Sequence, residues 1–231
     1  MQNLIKGALK FMQEDFLEHK KLFKALKDRQ NPHTLFIGCA DSRVVPNLIT
    51  GTGPGELFVV RNIANIVPPY RVSDDYLATT SAIEYAVNSL HIKNIVVCGH
   101  SNCGGCAALY SDESSLHKTP NVKRWLSMLD GIKREVLELE SARTDAAMRS
   151  WLTEKLNLLN SLQNLLTYPE IQKAFARQCR DKMRSVYSTA VLRMLLCNEM
   201  ICRGMVPDVS TYRSVFCPEG GDALWMIDRA G

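Results

Sequence analysis

The run Asn94-Ile95-Val96-Val97-Cys98-Gly99 leads straight into His100-Ser101-Asn102-Cys103-Gly104-Gly105, and its reading decides the fold. Earlier in the chain, Thr34-Leu35-Phe36-Ile37-Gly38 leads in the same way into Cys39-Ala40-Asp41-Ser42-Arg43. Short apolar runs that stop at glycine or a small polar residue suit parallel strands packed on both faces. If the two strands are neighbours, their carboxyl ends converge where open α/β sheets bind ligands. Two thiols, an imidazole and a carboxylate then meet. That set matches Zn²⁺, whose tetrahedral shell takes S, N and O donors.

Working outward, Glu56-Leu57-Phe58-Val59-Val60-Arg61-Asn62 reads as a further strand, entered through the turn residues Gly51, Gly53, Pro54 and Gly55. A helix from about Tyr76 to Ser89, capped by Ser73 or Asp74, turns Leu77, Ile83, Ala86, Val87 and Leu90 to the sheet. Strand, helix and strand in that order make the crossover unit of a parallel sheet. Residues 3–29 read as one amphipathic helix carrying Leu4, Ala8, Phe11, Phe16, Leu22, Phe23 and Leu26, ended by Asn31-Pro32-His33. It has no place inside a minimal crossover unit, so it lies across a partner subunit or packs on its own domain. After Asn121 a long helical region, broken near Ser141–Asp145, shows two apolar stripes. One is Trp125, Leu129, Ile132, Val136 and Leu139; the other is Leu152, Leu156, Leu159, Leu162 and Leu166. Both predict core contacts.

From about Arg177 the composition turns to Met, Arg and Cys. Met194-Leu195-Leu196-Cys197 predicts part of a helix, and Gly204 to Gly231 a loosely packed or disordered tail. The fold class expected is α/β: a mostly parallel central sheet with flanking helices, a long N-terminal helix and an atypical C-terminal tail. Residues 1–176 form the zinc-dependent α/β domain with its helical arm, and 177–231 a divergent or loosely ordered extension.

Composition removes several alternatives. A formal charge of +4, with Lys and Arg spread among acids, does not identify a nucleic-acid binder. No apolar run is long enough to span a bilayer. Eight cysteines in 231 residues are too sparse for a disulfide-stapled scaffold. Met1 to Lys6 enters a charged helical pattern and not a signal peptide, so reduced thiols and a cytoplasmic location are expected. Neither a Walker loop nor a G-x-G-x-x-G fingerprint occurs.

Cys39 and Cys103 are the leading ligand candidates. His100 stands three residues before Cys103 and Asp41 two after Cys39, spacings that let each pair close on one ion. Cys106 is either a fourth ligand or, by the commoner fate of cysteine, a packing residue, and Cys98 belongs to the core. Asp41 either binds the metal or pairs with the planar fork of Arg43 and leaves the fourth position to water. Gly104-Gly105 allow close backbone approach to a ligand, or merely a tight turn. Cys103-x-x-Cys106 also admits a thiol-redox reading, which leaves His100 and Asp41 without a role. His19, His33, His91 and His117 read as surface or packing residues.

These residues resemble the β-class carbonic anhydrases. The family's Cys-x-Asp-x-Arg motif stands as Cys39-Ala40-Asp41-Ser42-Arg43, and its His-x-x-Cys-Gly motif as His100-Ser101-Asn102-Cys103-Gly104. Pro54 to Asn62, with Ala64-Asn65, is similar to the family's second-strand segment, and the likeness runs over roughly residues 3–175. The resemblance implies that Cys39, His100 and Cys103 bind Zn²⁺ and that Asp41 with Arg43 completes a switchable site. It implies reversible hydration of carbon dioxide to bicarbonate and a proton, by hydroxide formed from zinc-bound water whose pKa falls to about 7. It also implies a homodimer or homotetramer with the N-terminal helix over the neighbouring subunit. Phe58 and Val60, with Tyr76 and Leu77 from across the interface, would line the substrate site. Some members carry a tryptophan in an allosteric bicarbonate pocket; Phe36 stands at that position here, so that regulation does not carry over. The family's Gly-Trp-x-Tyr-like edge strand has no counterpart in residues 177–231. The alternative function is a noncatalytic zinc-binding assembly protein.

Overall fold

The computed structural model describes residues 1–73, 75, 77–139 and 144–173, and the backbone of three segments at 191–196, 212–216 and 224–227. Three parallel strands follow the expected runs: β1 (Thr34–Cys39), β2 (Leu57–Asn62) and β3 (Asn94–Gly99). β1 lies between the other two, with Gly38 in register with Arg61 on one side and Cys98 on the other. Its side chains alternate between two covered faces. Leu35 and Ile37 join Val97, Leu158 and Leu165 on one face, while Phe36 joins Cys98 and meets Ile49 on the other. Each fully buried side chain of this kind stabilises the fold by about 1.5–3 kcal/mol. This double burial is why β1 reads as an unbroken apolar run.

The crossover helix α5 (Ala78–Glu84) continues through a wider turn, Tyr85–Ser89, and buries Ile83 and Ala86. It starts later than the sequence predicts and has no side-chain cap, because Ser73 Oγ accepts instead from Asp75 N (3.0 Å). Asp74 and Tyr76 lie outside the described residues. A short helix, Pro46–Thr50, follows the first motif, and another, Gly104–Ala108, follows the second with Cys103 as its N-cap. Farther on come the helices Pro120–Leu126 and Asp130–Glu138, then the helix Ala146–Leu165, whose first turn is capped by Asp145 accepting from Ala147 N and Met148 N. We call this last one the long helix.

The long helix does not bury the predicted stripe as such. Leu162 is in the core with Leu158 and Leu165, but Leu152, Leu156 and Leu159 are only partly buried and Leu166 is 46% exposed. The buried face also carries Thr153, Glu154, Asn157 and Ser161. Their partners explain this. Asn157 Nδ2 donates to Ala64 O (2.7 Å), Val67 N donates to Ser161 Oγ (3.1 Å), and Asn164 Nδ2 donates to Val67 O (2.8 Å). The segment they hold includes two successive left-handed residues, Ala64 (φ 61) and Asn65 (φ 46), whose backbone groups have no ladder to join. Buried amides there must be paired by side chains.

The N-terminal helix of the sequence reading is broken into Gln2–Lys10, Phe16–Glu18 and Lys20–Leu26, with a wider turn at Phe11–Asp15 and non-helical angles at His19 (φ −95, ψ 13). Phe11, Phe16 and Phe23 cluster with one another (centroids 5.2–6.3 Å apart). Its end reaches the domain, where Leu26 lies against Gly55, whose φ of 89 favours glycine.

The C-terminal reading needs correction. Val191–Leu196 is a strand, β4, parallel to β3, and not a helix; the sheet order is β2-β1-β3-β4. A run of six that is apolar but for Arg193 has no diagnostic period, and pairing with the open side of β3 decides it. Tyr212–Phe216 and Leu224–Ile227 form an antiparallel pair where only irregular chain was expected. The other residues beyond 173, Cys197 included, lie outside the described residues.

Candidate metal centre

Cys39 is the last residue of β1, His100 follows β3, and Cys103 opens the helix beyond it. Because β1 and β3 are in register at Gly38–Cys98, both strand ends reach the same level of the sheet. One ligand atom from each of Cys39, His100 and Cys103 lies within 4.8 Å of the others, and all three residues are buried. The two Sγ atoms are 3.8 Å apart. His100 Nδ1 is 3.0 Å from Ser101 O. A carbonyl can only accept, so Nδ1 carries the hydrogen and Nε2 keeps its lone pair. That Nε2 is buried and has no hydrogen-bond partner, an arrangement that costs stability unless something coordinates it.

Among themselves the three groups are pushed toward their protonated forms. The Cys39 thiol is pushed up to about 12, by its hydrogen bond with Cys103 and then by burial. Cys103 is likewise pushed up to about 12, chiefly by its contact with the Cys106 thiol. Burial works to lower the His100 pKa, but the Cys39 thiol and the Asp41 carboxylate raise it further than burial depresses it. Binding as two thiolates and an imidazole lone pair in one buried space would need a positive charge at their centre. The donor set and its orphaned nitrogen fit a divalent, borderline-soft cation.

Asp41 stands beside this cluster, with Oδ2 3.9 Å from His100 Nε2. Its carboxylate is engaged by Arg43 through Nε to Oδ1 (2.9 Å) and Nη2 to Oδ2 (2.7 Å), and Arg43 N also donates to Oδ1 (2.9 Å). These contacts hold the carboxyl well below the usual carboxylate range. Arg43 Nη2 also donates to Asn102 O (3.0 Å), tying the two motif loops together.

Other predicted residues are placed differently. Cys106 is buried and faces Asn157 Nδ2 (3.9 Å), the packing role and not a place in the three-ligand cluster. Cys98 is in the core. Gly105 meets the Ala64–Ile63 turn, while Gly104 faces open space. Phe58 and Val60 pair with Leu35 and Ile37, which puts Phe58 about 13 Å down the strand from the Cys39–Asn62 level. Phe58 packs instead near the half-exposed Tyr85, ring centroids 5.9 Å apart. Leu77 is partly buried just before α5, and Tyr76 is outside the described residues.

Two residues with evident roles escaped the sequence reading. Arg61 donates from Nε to Cys39 O (3.0 Å) and from Nη2 to Asp41 O (2.6 Å), fixing the first loop from β2. Glu154, 5% exposed on the long helix, accepts at Oε1 from Cys103 N (2.9 Å). The signal for Glu154 was a carboxylate set in sequence between Leu152 and Leu156.

Parallel strands ending in a Cys-His-Cys cluster, with an arginine-held aspartate alongside, define an α/β protein built around a metal centre. The carbonic anhydrase family model matches residues 34–189. The chain is 46% identical over 169 residues to the carbonic anhydrase of Helicobacter pylori strain J99, covering 72% of this chain and 76% of that one. A carbonic anhydrase of Synechocystis is 41% identical over 177 residues, covering 77% and 64%. Among solved structures, the β-carbonic anhydrase CcaA superposes with a TM-score of 0.75 at 37% identity, over 86% of this chain and 83% of that one. A tetrameric β-carbonic anhydrase from Sordaria macrospora gives 0.65 at 32%, over 85% and 88%.

The chain therefore belongs to the β-class carbonic anhydrase family. It is a lyase that hydrates carbon dioxide, and the noncatalytic assembly-protein alternative is not favoured.

Proposed function

We propose that the cluster holds one Zn²⁺ through Cys39 Sγ, His100 Nε2 and Cys103 Sγ, and that Asp41 and Arg43 carry the chemistry beside it. The observation that carries this is the buried, unpartnered His100 Nε2 within 4.8 Å of two thiol sulfurs. When bound in an open three-ligand site, zinc lowers the pKa of its water to about 7 and so supplies the nucleophile for carbon dioxide.

The chain's own residues then orient the reaction. Asp41 is ionised and acceptor-only, so it takes the hydrogen bond of the attacking oxygen and turns that oxygen's lone pair toward the substrate carbon. Arg43 occupies both carboxylate oxygens, which keeps Asp41 from becoming a fourth ligand. Arg61 holds the carbonyls of Cys39 and Asp41, so ligand and acceptor move as one unit. All of these residues fall within 1–176, the stretch we take as the catalytic domain.

The working form is a homodimer or homotetramer. The first helix and the wider turn after it leave Leu4 (74%), Ile5 (56%) and Met12 (66%) exposed, apolar surface that a neighbouring subunit would cover. Among the described residues no helix is long and apolar enough to cross a membrane. Among the described residues Cys39, Cys98, Cys103 and Cys106 form no disulfide, which supports a reducing, cytoplasmic setting. Stopped-flow hydration of carbon dioxide on metal-quantified protein tests the reading. Rate should track bound zinc and vanish on chelation; full activity in zinc-free protein would overturn it.

A further inference from the structure

We propose that Glu154 is a positioning residue for the reaction: it fixes the Asn102–Cys103 turn, and through that turn both the Cys103 ligand and the Arg43–Asp41 pair. The inference rests on the zinc reading above.

Its basis is a chain of contacts across three elements. Glu154 Oε1 accepts from Cys103 N at 2.9 Å, from a helix 51 residues farther along the chain. The Asn102 N–H also supports this carboxylate. Asn102 has a left-handed backbone (φ 52), a turn conformation that asparagine tolerates and that these contacts hold in place. The carbonyl of that same residue receives Arg43 Nη2 at 3.0 Å, and the Arg43 guanidinium grips Asp41. One buried carboxylate thus sets the direction of a thiol on one side of the turn and of a guanidinium on the other.

A packing role alone does not account for Glu154. At 5% exposure a carboxylate is costly to bury, a cost that a leucine would avoid. What a leucine cannot do is accept from successive backbone N–H groups in a turn that has no ladder partner. A carboxylate presents two acceptor oxygens; a glutamine amide presents one acceptor and one donor, so it can satisfy one N–H but opposes the other.

The test compares wild type, Glu154→Gln and Glu154→Leu as zinc-loaded and cobalt-substituted proteins. Partners that orient metal ligands are worth about 10- to 100-fold in metal affinity or activity. We expect kcat/KM for hydration to fall by about that range in Glu154→Gln, together with a changed cobalt d–d spectrum and faster metal loss to a chelator. In Glu154→Leu, whose apolar side chain suits the buried site, we expect larger changes of the same kind while the far-ultraviolet circular dichroism stays native. Arg43→Ala combined with Glu154→Gln should lose less than the two losses multiplied, because both act through the Asn102 carbonyl. Wild-type spectrum, metal retention and kcat/KM in a folded Glu154→Gln or Glu154→Leu variant would overturn the proposal and leave the zinc reading standing. Wild-type protein that binds no zinc or cobalt would overturn both.

Discussion

At the scale of single residues, the Asp41–Arg43 pair carries the sharpest prediction. Arg43→Ala should keep zinc while lowering hydration by about 10- to 100-fold, because the carboxylate loses both its orientation and its restraint. Arg43→Lys should rescue poorly, since an ammonium is a point charge without the fork that meets both oxygens. Zinc content and initial rates of the two variants decide this; near-normal rates in zinc-loaded Arg43→Ala would refute it. The sign of the pH dependence follows from the same contacts. The Asp41 pKa is depressed in the folded protein, so the stability it contributes is present above the ordinary carboxylate pKa of about 3.9 and lost only as pH falls through the lower folded value. Asp41 therefore stays charged across the neutral range, and a rate that falls between pH 8 and 6 reports another group. The Cys39-His100-Cys103 cluster and this pair were legible because each residue sits at or near a strand end in a short motif. Glu154 and Arg61 were not, because their partners are backbone groups far away in sequence, and no local spacing records such a contact.

Among the elements, the short helix after Cys103 packs against the left-handed Ala64–Asn65 turn, and Gly105 is where they meet. A Cβ there would lie 2.9 Å from both Ala64 Cβ and Ile63 Cγ2, whereas one at Gly104 meets nothing within 4 Å. Both positions are helical, so propensity alone would make alanine favourable by about 1 kcal/mol. Thermal unfolding should separate them. Gly104→Ala should be neutral or stabilising, and Gly105→Ala should lose about 1–3 kcal/mol by overpacking. Equal melting temperatures for the two variants would show that the 63–65 turn yields freely. The two inner strands, β1 and β3, were readable because their apolar runs are covered and end in cysteine or glycine, and β2 because turn residues lead into its apolar run. β4 was not: its mostly apolar run, interrupted by Arg193, suits a helix as well as a strand, and only the open side of β3 selects the strand. The face of the long helix was misjudged for a related reason. Asn157 and Ser161 look like solvent residues in sequence, but they are buried to hold the turn at 64–67.

At the scale of the whole molecule, the helical arm is the feature that a single chain leaves unfinished. Its first helix buries no residue and presents Leu4, Ile5 and Leu9 to the outside. Ile5→Lys with Leu9→Lys should shift the protein toward smaller species in light scattering. An unchanged mass would place the subunit contact elsewhere. The central claim, however, is the metal centre, and one measurement addresses it most directly: elemental analysis of purified wild-type protein beside Cys103→Ala. The account predicts one zinc per wild-type chain and loss of most of it when the second thiolate is removed, with hydration lost in step. Undiminished zinc in Cys103→Ala would contradict it.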